Sequence, residues 1–146
     1  MTELPKSNGL PAEIRMETLL IQQGEMEQHL FEEKGKVLYM NDSYYIRYEE
    51  HTEGTTIPVT VKVGADGVVS VIRRGEITTR LRFDIDQWTQ SNYPLPTGTI
   101  PIRIKTTDLK ISYYDRPLAG RVAVDYSLYV GEEKLGDYQL RLRYTT

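Results

Sequence analysis

Arg121-Val122-Ala123-Val124-Asp125-Tyr126-Ser127-Leu128-Tyr129-Val130 places an apolar residue at every second position. Side chains on a strand point alternately to opposite faces, so this stretch is a strand with one face buried and one wet. The same period of two recurs in Val59/Val61/Val63, Ile77/Thr79/Leu81/Phe83, Ile100/Ile102/Ile104 and Tyr138/Leu140/Leu142/Tyr144. Half-buried alternating strands joined by short turns pair antiparallel. The expectation is an all-β chain of roughly 8–10 strands with little helix. A sheet with one apolar face and no helices to cover it must fold onto itself. An up-and-down antiparallel barrel follows, with a β-sandwich as the alternative.

The length of 146 residues suits one domain. A chain of this size buries roughly 70% of its unfolded surface, enough for a core without staples. The reading is a loose lead-in over residues 1–11 and a single barrel over residues 12–146. That lead-in contains Glu3 and two prolines and lacks an apolar h-region, so it does not read as a signal peptide. With no cysteine, disulfides and thiolate chemistry are excluded, and a reducing cytoplasm fits. No apolar run is long enough for a membrane span. The net charge of −3 disfavours a dedicated nucleic-acid binder. Eleven tyrosines against two phenylalanines is the unusual ratio, because each buried tyrosine brings a hydroxyl that needs a partner.

Turn chemistry sets the expected registers. Asn41-Asp42 reads as a two-residue hairpin turn, pairing Met40 with Ser43, Tyr39 with Tyr44 and Val37 with Ile46. Gly64-Ala65-Asp66-Gly67 reads as the next, pairing Val63 with Val68, Val61 with Ser70 and Val59 with Ile72. A turn at Arg74-Gly75 would set Ile72 against Ile77, Ser70 against Thr79 and Val68 against Leu81. The run Leu19-Leu20-Ile21 breaks alternation and predicts a bulge or burial on both faces. Residues 84–97 lose the pattern and read as a short helix or long connection, with Trp88 over one end of the sheet. Strands resume at 99–106 and 109–114, and a loop is expected at Asp115-Arg116-Pro117.

Tyr44-Tyr45-Ile46-Arg47-Tyr48-Glu49-Glu50, then Thr55-Thr56, Ile72-Arg73-Arg74-Gly75 and Thr97-Gly98-Thr99, resemble in order and spacing the YwiB-like family of uncharacterised bacterial proteins. The resemblance runs from about Glu13 to Tyr144. It implies a calycin-like, lipocalin-like closed barrel and carries no assigned activity, so no functional residue transfers from it.

Three constellations are candidates for function. By the expected registers Tyr39, Tyr44, Tyr48, Tyr113, Tyr126 and Tyr144, with Ser70 and Thr79, face the interior. They either line a pocket for a small, partly apolar ligand or plug the barrel by bonding one another. Glu50 shares a face with Tyr48 near a barrel mouth. Its neighbours Glu49 and His51 point the opposite way, so the tripeptide cannot form one catalytic or metal site alone. Arg80, Arg82, Arg103, Lys105, Arg121, Arg141 and Arg143 alternate outward, and ion pairing with nearby carboxylates is the expected role of that wall. No P-loop, dinucleotide fold fingerprint, serine elbow or His-based zinc motif is present, so no catalytic residue, metal or cofactor is assigned.

Three readings follow. The first is a cytoplasmic small-molecule-binding barrel, with no nucleic-acid or membrane partner expected. The second is an interaction or self-associating module, a homodimer among its forms, using outward Leu30, Leu38, Met40, Tyr45, Val69 and Val71. The third is an enzyme with a carboxylate and tyrosine at the mouth.

Overall fold

The computed structural model describes residues 9–115 and 118–146. Ten strands follow one another: β1 (Leu10–Gln22), β2 (Glu25–Met40), β3 (Ser43–Thr52), β4 (Thr55–Val63), β5 (Val69–Arg74), β6 (Thr78–Phe83), β7 (Thr89–Leu95), β8 (Gly98–Asp115), β9 (Leu118–Val130) and β10 (Glu133–Thr145). Among the described residues there is no helix. All pairings are antiparallel and the sheet order is β6-β5-β4-β3-β2-β1-β10-β9-β8-β7. This is an up-and-down meander rolled into a nearly closed barrel. The first and last strands meet, and the one seam without a ladder lies between β6 and β7. There the Thr89 hydroxyl donates to the Arg82 carbonyl.

The interior face is continuous. Met16, Ile46, Phe83, Ile104, Leu140 and Leu142, all fully buried, fill the waist. Burying each such side chain is worth roughly 1.5–3 kcal/mol. The reading of β9 holds: Val122, Val124 and Tyr126 are buried in this core. Ser127 keeps its outward parity, yet it is buried and donates to Asp137 at 2.6 Å.

The first hairpin register is as expected. Met40 pairs Ser43, Tyr39 pairs Tyr44 and Val37 pairs Ile46, with Asn41 and Asp42 both at positive φ. Above it β2 leaves β3, and Gly35 marks the departure. A Cβ there would fall inside van der Waals contact of the Arg47 carbonyl and Ile14 Cδ1, so only glycine lets the strands cross so closely.

The next register is corrected. Val63 pairs Val69, Val61 pairs Val71 and Val59 pairs Arg73. The turn is one residue longer than expected: Gly64 N–H donates to the Val68 carbonyl at 2.9 Å, which draws Val68 into the loop. A one-residue slip exchanges the two faces of a strand. Val69, Val71 and Arg73 therefore point inward, while Ser70 and Ile72 point outward. The following turn spans residues 75–77, with Arg74 opposite Thr78, so Ile77 is left exposed instead of facing Ile72.

Other expectations also change. Residues 89–95 form β7, which pairs only with β8. An edge strand tolerates Pro94 because one side makes no ladder. The segments 99–106 and 109–114 are one strand, β8, interrupted by a bulge between Thr106 and Asp108. Leu19, Leu20 and Ile21 pair without a bulge and are half-buried. Strand β1 starts at Leu10, inside the expected lead-in; residues 1–8 of that lead-in, and Arg116 and Pro117 of the expected loop, lie outside the described residues. Trp88 does not cover an end of the sheet. It lies against the outer wall, 5.1 Å from the Tyr129 ring, with the Arg103 guanidinium 4.2 Å from its centroid.

Candidate functional site

The corrected register assembles an interior row that crosses β3, β4, β5 and β6: Tyr48, Val59, Arg73 and Thr79. Glu50, two residues beyond Tyr48, shares this face and is buried. Its carboxylate accepts three hydrogen bonds. Tyr48 Oη donates to Oε2 at 2.6 Å, Arg73 Nε to Oε1 at 3.1 Å and Arg73 Nη2 to Oε2 at 3.4 Å. Burial first, and the Glu50 carboxylate second, hold the Tyr48 hydroxyl well above the ordinary tyrosine range. Taking an ion pair out of water is costly, and an apolar replacement is often as stable. The pair is thus poorly explained as a stabilising device.

Tyr126 completes the surroundings. Its ring lies 4.5 Å from Phe83 and stacks at 5.0 Å on Tyr138. Burial raises its hydroxyl, an effect the Arg73 charge opposes. Across β8 and β9, Tyr126 pairs Thr106, which is buried and whose Oγ1 has no hydrogen-bond partner among the described residues. No hydrogen bond of Tyr126 Oη to another described group accompanies these contacts, whereas Arg73 is engaged by both Glu50 and Tyr48.

The predicted tyrosine lining therefore splits. Tyr48 and Tyr126 belong with Glu50, Arg73 and Thr79. Tyr39, Tyr44, Tyr113 and Tyr144 gather elsewhere, with ring separations of 4.8 Å for Tyr39–Tyr44 and 5.3 Å for Tyr44–Tyr113. Tyr113 and Tyr39 are 52% and 43% exposed, so they form a rim and not a lining. Ser70 is on the wrong face for any interior site. Sequence reasoning missed Arg73, Thr106 and Tyr138. The signal for Arg73 was present in Val59/Val61/Val63, which demands an equally apolar Val69/Val71 opposite.

The remaining candidates are also located. His51 Nδ1 lies 3.0 Å from Thr56 Oγ1 on the outside, and His29 lies 3.2 Å from Glu27. The outward apolar patch does not hold together: Leu38, Val69 and Val71 are buried, the last two inside the barrel. Two depressions, of about 270 and 330 Å³, lie against the wall near the β9–β10 turn. The first touches Tyr126 and Tyr138, and the second is lined by residues 21–24 and 133–137.

A ten-strand meander barrel with a buried acid–guanidinium–phenol cluster is the class these observations define. The chain belongs to the DUF1934 family, a domain of unknown function, whose model matches residues 14–142. Its fold is similar to the crystal structure of YwiB from Bacillus subtilis, with a TM-score of 0.77 at 21% identity, covering 92% of this chain and 90% of that one. The family likeness read from the motifs is borne out. No curated protein matches the sequence.

Proposed function

We propose that this calycin-like barrel binds a small, partly apolar molecule in the cytoplasm, taking its polar group at Arg73, Tyr126 and Thr106. The observation that carries the reading is the buried Thr106 hydroxyl without a partner. Such a group costs about 1–3 kcal/mol unless something bonds it. Tyr126, which pairs Thr106 across β8 and β9, offers its hydroxyl as a further donor, and the Arg73 charge acts on that hydroxyl. Glu50 holds the guanidinium through Nε and Nη2, which fixes its plane. An apolar approach is available at the β6–β7 seam. Tyr93 and Leu95 share the interior parity of Ile104 yet stay 37% and 40% exposed.

The test uses anilinonaphthalene sulfonate, an aromatic anion, on the intact protein. Thr106→Val keeps the shape and removes the unpaired hydroxyl. Its melting temperature should hold or rise, while probe affinity falls by about tenfold, the equivalent of 1.4 kcal/mol. If the variant melts earlier and binds the probe as before, Thr106 is a bonded core residue and the reading fails.

A further inference from the structure

On the outer wall, Arg15 pairs Arg143 across β1 and β10, Arg143 pairs Arg121 across β10 and β9, and Arg121 pairs Ser112 across β9 and β8. Three arginines thus stand side by side at the strand spacing of about 4.8 Å. Directly opposed like charges destabilise a sheet. Carboxylates relieve the row only at one end: Arg15 lies 3.7 Å from Glu17 and 3.9 Å from Glu32. Arg141 and Lys110, on the adjacent row, are taken by Asp125 at 2.9 Å and Asp108 at 3.9 Å. Arg121 and Arg143 have no ion pair or hydrogen bond among the described residues. Among the described residues Arg141 is the one member of the expected wall with an ion pair, so the expectation of pairing is corrected for Arg80, Arg82, Arg103, Lys105, Arg121 and Arg143; of these, Arg121 and Arg143 oppose each other directly across two strands.

The surroundings suit an extended phosphate chain. Ala119 and Ala123 flank Arg121 along β9 and leave it open on both sides. Ser112 and Thr145 place hydroxyls beside the row, and Tyr114, 65% exposed, stands at its end. Further along the outer face of β8, Arg103 and Lys105 lie over Trp88 at 4.2 and 5.7 Å. Arginine matches phosphate oxygens through its planar fork, and an exposed ring gives a base a stacking surface. Glu13, Glu17 and Glu32 border the track on the β1–β2 side. They would repel a broad acidic protein face while leaving room for one strand.

We propose that the outer wall of β8, β9 and β10 binds single-stranded nucleic acid, with backbone phosphates on Arg121 and Arg143. The overall charge of −3 conceals this track: acids share the wall, but Asp125 and Asp108 are engaged by Arg141 and Lys110 on the adjacent row.

The experiment is fluorescence anisotropy with a short labelled single-stranded RNA, first at about 50 mM salt, where phosphate contacts bind tightly. Arg121→Gln with Arg143→Gln should weaken binding by tenfold or more. The log–log salt slope should become shallower by about 1.4, since each single-strand phosphate contact contributes about 0.7. The same double variant should melt no earlier than the parent, because it removes opposed like charges; loss of binding through unfolding is thereby excluded. Arg80→Gln with Arg82→Gln on β6 should leave affinity unchanged. No binding at low salt, an equal loss in the β6 control, or polyglutamate competing as well as RNA would each overturn the proposal.

Discussion

Arg73 is where stability and function pull in different directions. The Glu50 carboxylate is buried and the Arg73 side chain is 27% exposed, so removing the arginine leaves a buried carboxylate without its counter-charge. Arg73→Met alone should cost about 3 kcal/mol. Adding Glu50→Leu removes the second charge and should recover most of that loss, though Tyr48 then lacks its acceptor. Chemical denaturation of the two single variants and the double variant checks this. Additive losses would show that the pair is not coupled. Probe binding should be lost in both the Met variant and the recovered double variant, which separates the pair's use from its contribution to stability. Thr106 makes the opposite case, since its buried hydroxyl has no partner among the described residues.

At the scale of the strand, the face assignment of β5 is the sharpest claim. Val71→Ala should cost about 1.5–3 kcal/mol because it empties a buried site, whereas Ser70→Ala on the outer face should stay within about 0.5 kcal/mol. Thermal melts showing the reverse ranking would restore the shorter turn. The architecture was legible because period-two patterning survives in most strands, and the Asn41-Asp42 turn admits one closure. The Gly64–Gly67 turn admits two. The hairpins on either side of β5 agree in placing Val68, Ser70 and Ile72 inward, but each of the two turns is one residue longer than its sequence suggests, so the agreement rests on two errors that match in parity. The site was lost with them: an arginine on the supposed outer face reads as solvated, and its partnership with Glu50 does not exist in sequence. Strand β7 was hidden for another reason. Its Ser91, Asn92 and Pro94 are turn-like by composition, and an edge strand carries them because only one side is hydrogen-bonded.

For the whole barrel, buried phenols set the alkaline limit. Tyr48, Tyr126 and Tyr144 are all held above the ordinary range, burial being the first cause for each. A group whose folded value is raised contributes its full stability below the unfolded value, about 10 for tyrosine, and loses it as pH rises through the folded value. Melting temperature should thus be insensitive to these groups below about pH 9 and fall above about 10. Phenolate absorbance should show part of the eleven tyrosines ionising only as the fold is lost. Ionisation of all of them in one step with the melt unchanged would contradict their burial. The seam between β6 and β7 bears on how this barrel assembles. Because that junction has no ladder, the chain comprises two meanders, β1–β6 and β7–β10, each built from neighbouring hairpins. Among the described strands the ladder that joins them is that of β1 with β10, starting where Glu13 meets Thr145, and at the seam the Thr89 hydroxyl bonds the Arg82 carbonyl. That closure spans nearly the entire sequence, and long-range closures are the slow ones. Assembly is then a matter of two locally formed halves finding each other through their outermost strands, with the last gap sealed by side chains.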